Sequence, residues 1–446
     1  MAGIGFELQR ALRGGSIVKA LTVAITGIVI VAGPWLLSII GISILTGVAS
    51  YALNEGQELF IAVLVYGYAF SICIFAGLHY AFTRYISDLL YGGKNHRVTA
   101  SLLLMSGFVT VLSLLIAIPS SLALGNPGIA HAGLLRVGMV IFFVAINLIW
   151  IEMLVITVLK NFLAIIGAYL AGMLVSVGAA VWLGSSLGLG GALLGFALGQ
   201  ASVALILFAV VMAWNLPSRA RHELRPLLRY AGTYRTLMLS GWLYSAGLWI
   251  DKIVFWFSYG KPIQGTFLHL YQDYDYAAYI ANLSVIPALV FFTIFTETTF
   301  FVGLRRLLMK LGTSIYTRIA EEKYNLKDKS RRIIGRQLSF HGLLVIVLLA
   351  SLSGLLVKIL VVAVFFHMAF LTFFTFLFYL ESYRLALRGS AIFFGVNLAA
   401  TLVSAHWGGV PLGSGYLLAS ICACLFTGIA LYRNLGDLDR LIFSRN

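Results

Sequence analysis

The sequence predicts an all-α polytopic membrane protein with about twelve transmembrane helices. Of its 446 residues, 61% are hydrophobic and only 11% are charged, and the mean hydropathy is +0.97. A soluble domain carries roughly 25% charged residues. A chain with so few charges has more apolar surface than a soluble core could bury, whereas a lipid bilayer would solvate that surface. Two further observations support the prediction: apolar runs long enough to cross a bilayer, and lysine and arginine residues confined to alternate loops.

The apolar runs define the individual spans. Each crossing needs about 20 mostly apolar residues. The ninth and tenth spans are divided near Lys358, because one helix from Leu343 to Phe378 would overshoot the bilayer. The predicted spans are residues 17–47, 59–86, 98–120, 133–157, 162–184, 190–213, 236–258, 276–302, 338–358, 363–387, 389–406 and 413–432.

The basic residues predict the orientation. If the N-terminus is cytoplasmic, all but four of the 31 lysine and arginine residues lie in cytoplasmic segments; the exceptions are Arg136, Lys252, Lys261 and Lys358. Cytoplasmic loops of membrane proteins carry such an excess. The pattern therefore predicts that both termini are cytoplasmic. It also explains the net charge of +15 without a nucleic-acid partner, since the basic residues sit in short loops.

Two basic segments organise the chain. Residues 214–235 carry five arginines and separate six spans from six, and residues 303–337 form a longer cytoplasmic loop with room for a helix around Thr313 to Tyr324. The longer loop suits anionic lipid or a cytoplasmic partner, or serves only as a topology anchor. We predict an N-terminal segment (1–16), a first six-helix bundle (17–213), a linker (214–235), a second bundle (236–432) and a tail (433–446).

Motifs for catalysis are weak. There is no Gly-x-x-x-x-Gly-Lys-Ser/Thr loop or His-Glu-x-x-His, so ATP hydrolysis and zinc-dependent proteolysis are not indicated. Asp273-Tyr274-Asp275 is an acid-x-acid triplet of the kind that holds a metal in glycosyltransferases, but it lies at a predicted outer mouth. Three cysteines in apolar runs form no disulfide or metal pattern. We expect a transporter without a cofactor or bound metal.

Charges inside apolar spans are the main candidates for function, because they cost several kcal/mol unless paired or in a wet cavity. Asp251 and Lys252 lie in the outer half of the seventh span, and their adjacency points them about 100° apart on a helix. Glu152, Glu297 and Glu381 lie near the cytoplasmic ends of the fourth, eighth and tenth spans. These residues either line a hydrophilic cavity or are paired charges at helix ends.

Local patterns add further candidates. Gly33-Pro34 interrupts the first span, and proline there predicts a kink, which either lines a cavity or is a packing feature. Trp242 and Trp249 are seven residues apart on one helix face, which suits sugar rings or the membrane interface. On the sixth span, three glycines at four-residue spacing predict close helix packing; they are Gly191, Gly195 and Gly199.

Several motifs resemble the PelG family of Pel exopolysaccharide transporters. They include Met-Ala-Gly-Ile-Gly-Phe-Glu-Leu at residues 1–8, Gly-Pro-Trp-Leu-Leu-Ser at 33–38 and Thr-Arg-Tyr-Ile-Ser-Asp at 83–88. Trp-Ile-Asp-Lys at 249–252, Phe255-Trp256, Tyr274-Asp275 and Ile286-Pro287 are also similar. The likeness spans most of the chain. One departure is Gln9-Arg10, where the family usually has a basic pair.

The resemblance implies a fold and a set of partners. The family is related to Wzx flippases for lipid-linked oligosaccharides and to MATE exporters, whose two six-helix bundles surround a central cavity. The implied cargo is a hexosamine-rich polymer made by a cytoplasmic PelF-like glycosyltransferase, with PelD-like and PelE-like membrane partners in the cytoplasmic (inner) membrane. Residues 303–337 are then a candidate docking surface.

From these patterns we predict a non-enzymatic exporter. Gly33 and Pro34 are the candidate hinge. The candidate residues of the substrate pathway are Trp35, Glu152, Trp242, Trp249, Asp251, Lys252, Glu297 and Glu381. The alternatives are a MATE-like exporter of small molecules or lipid-linked oligosaccharides, a scaffold for a synthesis complex, and, disfavoured by the missing cytoplasmic domain, a membrane-embedded glycosyltransferase.

The charge distribution makes a direct prediction about the side on which each loop lies. In a variant lacking Cys73, Cys422 and Cys424, a cysteine at Ser186 will react with an impermeant maleimide in intact spheroplasts. A cysteine at Ser218 will react only after permeabilisation, because the arginine-rich segment stays inside. Labelling of both sites from outside would contradict the orientation.

Overall fold

The computed structural model describes residues 26–28, 43, 57–129, 131–214, 224–311 and 316–437. These residues form helices joined by short turns, with one small β-hairpin. A six-residue π-helical turn, Phe292–Glu297, joins the helix that ends at Phe291 to the helix that begins at Thr298. The strands are β1 Lys261–Pro262 and β2 His269–Leu270. The helices are α1 Gln57–Tyr91, α2 Asn95–Ala123, α3 Ala132–Val158, α4 Phe162–Trp214, α5 Leu224–Thr233, α6 Arg235–Tyr259, α7 Gln272–Leu283, α8 Val285–Phe291, α9 Thr298–Leu311, α10 Tyr316–Ser351, α11 Leu355–Tyr379, α12 Tyr383–His406 and α13 Ser414–Gly436.

The helices confirm an all-α polytopic membrane protein. Within the described residues, nine helical stretches are long and apolar enough to cross a membrane. Large apolar side chains remain exposed along them, for example Leu115, Leu174 and Ile346, and exposed apolar surface of this extent indicates lipid contact. Helix α6, with its internal charges, is not among the nine. The count of twelve spans and their orientation stay predictions, and the first predicted span (17–47) lies almost wholly outside the described residues.

Two compact units divide the described chain. The N-terminal unit comprises residues 57–249 and 256–271, and the C-terminal unit comprises residues 250–255 and 272–437. Aromatic and aliphatic side chains from α1 to α4, such as Phe75 and Leu207, fill the N-terminal core. In the C-terminal unit, α13 packs on α11 and α12 around buried rings that include Phe370 and Phe393. The predicted domain boundaries remain a prediction.

Two predicted span boundaries are wrong by several residues. The ninth span ends at Ser351, and the break lies at residues 352–354 rather than near Lys358, because Gly354 adopts a φ of 93° that glycine tolerates without strain. The tenth span ends at Tyr379 instead of residue 387. The chain turns at residues 380–382 and continues at once into α12, so Arg384 and Arg388 both lie on that helix.

Helix α4 is a pair of helices joined by a break at Gly188, whose φ is 65° and ψ is −151°. The two arms pack closely through the predicted glycine face. A β-carbon on Gly195 would meet the backbone of Ala179 and Ala180, and one on Gly199 would meet the backbone of Ser176. The prediction of close helix packing at these glycines is confirmed.

The segment after α6 contains a β-hairpin that the sequence did not predict. Strands β1 and β2 pair antiparallel, with Lys261 opposite Leu270. The turn between them uses Gly265 at a φ of 74°. Tyr66 of α1 clamps β2, since its hydroxyl donates to the His269 carbonyl at 3.1 Å and accepts from the His269 amide at 3.2 Å. These bonds fix the hairpin to the N-terminal unit.

The long basic segment is helical on both sides of residues 312–315. Helix α10 runs without interruption from Tyr316 into the ninth span, so residues 316–324 of the predicted short helix belong to a much longer one. Lys310 of α9 pairs with Glu322 of α10, Nζ to Oε1, at 2.6 Å. This ion pair holds the two helices together where the basic residues cluster.

The glycine contact predicts opposite effects of two identical substitutions. Gly195→Ala will lower the melting temperature of the purified protein, because overpacking costs roughly 1–3 kcal/mol. Gly178→Ala is the matched control in the other arm of α4, where an added β-carbon meets nothing within 4 Å. There alanine gains roughly 0.5–1 kcal/mol of helix propensity. Equal melting temperatures would contradict the packing assignment.

Candidate functional site

A buried ion pair lies at the centre of the C-terminal unit. Asp251 of α6 is only 1% exposed, and the Lys252 ammonium lies 3.4 Å from its Oδ1. On an α-helix, the adjacent residues Asp251 and Lys252 are expected to point about 100° apart. They pair nonetheless, because the flexible four-carbon stem of lysine lets its ammonium reach back to the carboxylate.

A tyrosine from α7 completes the carboxylate's partners. The hydroxyl of Tyr274, which is fully buried, donates to Asp251 Oδ2 at 2.6 Å. The ring of Tyr274 lies 4.6 Å from that of Phe255, centroid to centroid. Each carboxylate oxygen therefore has its own donor. Asp273 of the predicted acid-x-acid triplet is exposed, and no group of three His, Cys, Asp or Glu residues in the described chain could hold a metal.

Aromatic rings surround the lysine side of the pair. The Lys252 ammonium lies 5.7 Å from the ring centroid of Tyr416 on α13, within the range of a cation–π contact. The His367 ring of α11 stacks on Tyr416 with centroids 5.8 Å apart. Three helices besides α6 thus contribute to one charged cluster. Burying two charges is costly, and a pair retained inside a membrane protein is a candidate for function.

A second buried carboxylate in this unit lies at the π-helical turn. Glu297, the last residue of that turn, is 2% exposed, and its Oε1 accepts a hydrogen bond from the Tyr379 hydroxyl of α11. Phe300, one turn further, stacks on Phe376 at 3.9 Å. Wide turns of this kind are frequent at functional sites. The length of an apolar run does not indicate a π-helical turn, so the sequence did not predict this turn.

Glu381 occupies a different position from the one expected. It lies in the turn between α11 and α12, with a left-handed φ of 52°. Its amide donates to the Phe378 carbonyl at 2.9 Å. The expectation that it lies inside the tenth span is therefore wrong, because the helix has already ended at Tyr379.

The N-terminal unit carries its own buried polar group. Glu152 of α3 is 2% exposed, and its Oε2 has no hydrogen-bond partner within the described residues. One turn away, Ser71 of α1 donates to the Asn147 side chain at 2.7 Å and accepts from the Trp150 indole at 3.2 Å. This polar network joins α1 to α3 near Glu152.

The predicted tryptophan face is half-buried in the N-terminal unit. The Trp242 indole donates to the Ile74 carbonyl at 2.6 Å and covers Gly77 of α1. The ring centroids of Trp249 and Trp256 lie 6.3 Å apart, and the Trp256 ring stacks on the ring of Tyr66. Trp242 therefore packs against α1, whereas Trp249 packs against Trp256. Gly33, Pro34 and Trp35 lie outside the described residues.

Comparison with solved structures identifies the fold. The fold is similar to the MATE transporter VcmN of Vibrio cholerae in its bent form, with a TM-score of 0.60, 15% identity, and coverage of 94% of this chain and 99% of that one. It is also similar to a MOP superfamily transporter from Pyrococcus furiosus, with a TM-score of 0.54, 13% identity and coverage of 93% and 96%. The protein thus has a MATE-like fold, with several helices long and apolar enough to cross a membrane.

The family follows from the sequence itself. Residues 1–443 match the model of the PelG family, described as "Putative exopolysaccharide Exporter (EPS-E)". The chain belongs to this family, which confirms the resemblance seen in its motifs. No curated protein gives a significant match to the chain.

The Tyr274 hydrogen bond predicts a selective loss of stability. Tyr274→Phe will lower the melting temperature, because removing one donor from a buried carboxylate costs roughly 1–3 kcal/mol. Tyr276→Phe on the same helix is the control, since that side chain is 66% exposed. If both variants melt like the wild type, the bond does not hold the ion pair.

Proposed function

We propose that this protein exports a hexosamine-rich exopolysaccharide of the Pel type across the cytoplasmic membrane. The family match over residues 1–443 carries this proposal. The MATE-like fold supports a mechanism in which two six-helix bundles enclose a cavity for the polymer. Both termini and the basic segments are then cytoplasmic.

The buried charged clusters are the proposed pathway and gating residues. Hexosamines carry amino or acetamido groups that hydrogen-bond to carboxylates, and the apolar faces of their sugar rings stack on aromatic side chains. Asp251 and Lys252, with tyrosines on both sides, offer these chemistries together, and Trp242 and Trp249 offer aromatic faces. Glu152 and Glu297 supply further buried carboxylates, Glu381 and Trp35 complete the proposed set, and Gly33-Pro34 is the proposed hinge.

The basic segment 303–337 is the proposed docking surface for a cytoplasmic glycosyltransferase of the PelF type. Lys329, Arg331 and Arg336 are exposed on α10. The Lys310–Glu322 ion pair orders the start of this surface. Membrane partners of the PelD and PelE types would complete the assembly that delivers polymer to the exporter.

A MATE-like exporter of small molecules or lipid-linked oligosaccharides is the alternative. Its support is the likeness to a multidrug resistance MATE family transporter in an outward-facing conformation, with a TM-score of 0.57 and 12% identity over 93% of this chain and 96% of that one. Likeness at this identity concerns the fold alone. Drug efflux by the isolated protein in proteoliposomes, without polymer export, would favour the alternative.

Neutralising the buried carboxylate tests the proposal. In cells whose own gene copy is deleted, Asp251→Asn will lower secreted polymer on the order of tenfold, the change that 1.4 kcal/mol of lost stabilisation produces. Asparagine keeps the shape but leaves Lys252 without its anion.

The control is Asp273→Asn, which removes an exposed carboxylate close to the same cluster and will leave secretion unchanged. The amount of each variant in the membrane is measured by immunoblotting and its folding by size-exclusion chromatography. Normal secretion by a folded Asp251→Asn variant would remove this residue from the pathway.

A further inference from the structure

A basic pocket opens at one end of the N-terminal unit, apart from the buried clusters described above. It has a volume of about 520 Å³ and is formed by the end of α1, the start of α2 and the short helix α5. This volume falls in the range of small-ligand sites, roughly 300–1,000 Å³. Its lining residues are Tyr85, Asp88, Leu89, Lys94, Arg97, Arg225, Pro226, Arg229, Tyr230 and Thr233.

The lining is strongly biased towards positive charge. Four lining residues are basic and only Asp88 is acidic. Asp88 is already engaged, because Arg84 Nε lies 3.2 Å from its Oδ1 and the Tyr230 hydroxyl donates to its Oδ2. Lys94, Arg225 and Arg229 form no ion pair within the described residues. An anion entering the pocket would therefore meet uncompensated positive charge.

The convergence of these residues needs more than membrane topology to explain it. Lys94 and Arg97 come from the α1–α2 region, whereas Arg225 and Arg229 come from α5, more than a hundred residues later in the chain. Retention on the cytoplasmic side requires basic residues near the surface but does not require them to meet around one cavity. Bringing like charges together is unfavourable, and a bound anion offsets that cost.

The pocket wall is held in place before any ligand arrives. The Tyr85 and Tyr230 rings meet edge to face at 5.0 Å, and Tyr230 stacks on Tyr234 at 4.4 Å. Arg97 Nη2 donates to the Tyr85 hydroxyl at 3.5 Å. Burial, followed by the bond to Asp88, raises the pKa of Tyr230, so its hydroxyl stays a donor. A fixed wall lowers the ordering cost of binding.

We propose that this pocket binds a phosphoryl group. Phosphate presents several acceptor oxygens and one to two negative charges, which match a set of arginine forks and a lysine better than a single carboxylate does. The group can belong to an anionic lipid headgroup or to a soluble phosphate compound. The site does not depend on the identity of the exported substrate.

Two arms of one experiment separate these sources. The full-length protein is reconstituted in phosphatidylcholine nanodiscs and titrated with inorganic pyrophosphate by calorimetry. In parallel, its melting temperature is compared in phosphatidylcholine and in phosphatidylglycerol nanodiscs. Binding of pyrophosphate supports a soluble ligand, and stabilisation by phosphatidylglycerol alone supports a lipid headgroup.

Matched arginine variants decide whether either signal comes from the pocket. Arg229→Gln will weaken the response roughly tenfold, because it removes one charge-assisted hydrogen bond to the phosphoryl group. Arg235→Gln removes the same charge from an exposed position at the start of α6, outside the pocket lining, and will behave like the wild type. If Arg229→Gln does not fold, Lys94→Gln in the exposed α1–α2 turn replaces it.

The proposal is overturned by either of two results. One is the absence of both pyrophosphate binding and selective stabilisation by phosphatidylglycerol in the wild type. The other is an equal loss in the pocket variant and in Arg235→Gln, because that would trace the signal to general surface charge.

Discussion

The hydrocarbon core of a bilayer supplies no water to polar groups, so each of them must be satisfied inside the protein. This constraint explains the almost wholly helical chain, because a helix satisfies its own backbone. It also explains the buried hydroxyls. Ser240 and Thr427 each donate to the carbonyl four residues earlier on their own helix, at 2.7 Å. Burying a short polar side chain in the membrane therefore costs little free energy, because its own helix supplies the hydrogen-bond partner.

Longer polar side chains need partners from other helices, and these bonds fix the packing of each unit. In the N-terminal unit, the Gln200 amide donates to Ser176 across the two arms of α4. In the C-terminal unit, the Gln337 amide donates to Thr372, which joins α10 to α11 at 2.8 Å. The Asp251 cluster follows the same rule at higher cost, since it must satisfy two full charges. A cluster assembled from four helices is consistent with selection for more than stability.

The sequence was sufficient for what depends on local composition. Apolar run length located most of the membrane-crossing helices, and the glycine spacing predicted the close contact within α4. The features that were missed depend on single backbone angles or on distant residues. Gly354 and Glu381 interrupt the helical structure because their backbones have a positive φ. Both residues lie within apolar sequence runs that look continuous. Asp251 accepts a hydrogen bond from Tyr274 on the next helix, α7. No periodicity in the sequence indicates that hydrogen bond.

The π-helical turn that ends at Glu297 has a consequence for the register of the helix. Such a turn contains more residues than an α-turn, which places one residue of slack within an otherwise α-helical stretch. Passing that residue along the helix would rotate the side chains on one side of the turn by about 100° without breaking the chain. Glu297 would then swing away from the Tyr379 hydroxyl that now holds it. A rigid-looking helix can in this way carry two orientations of one buried acid.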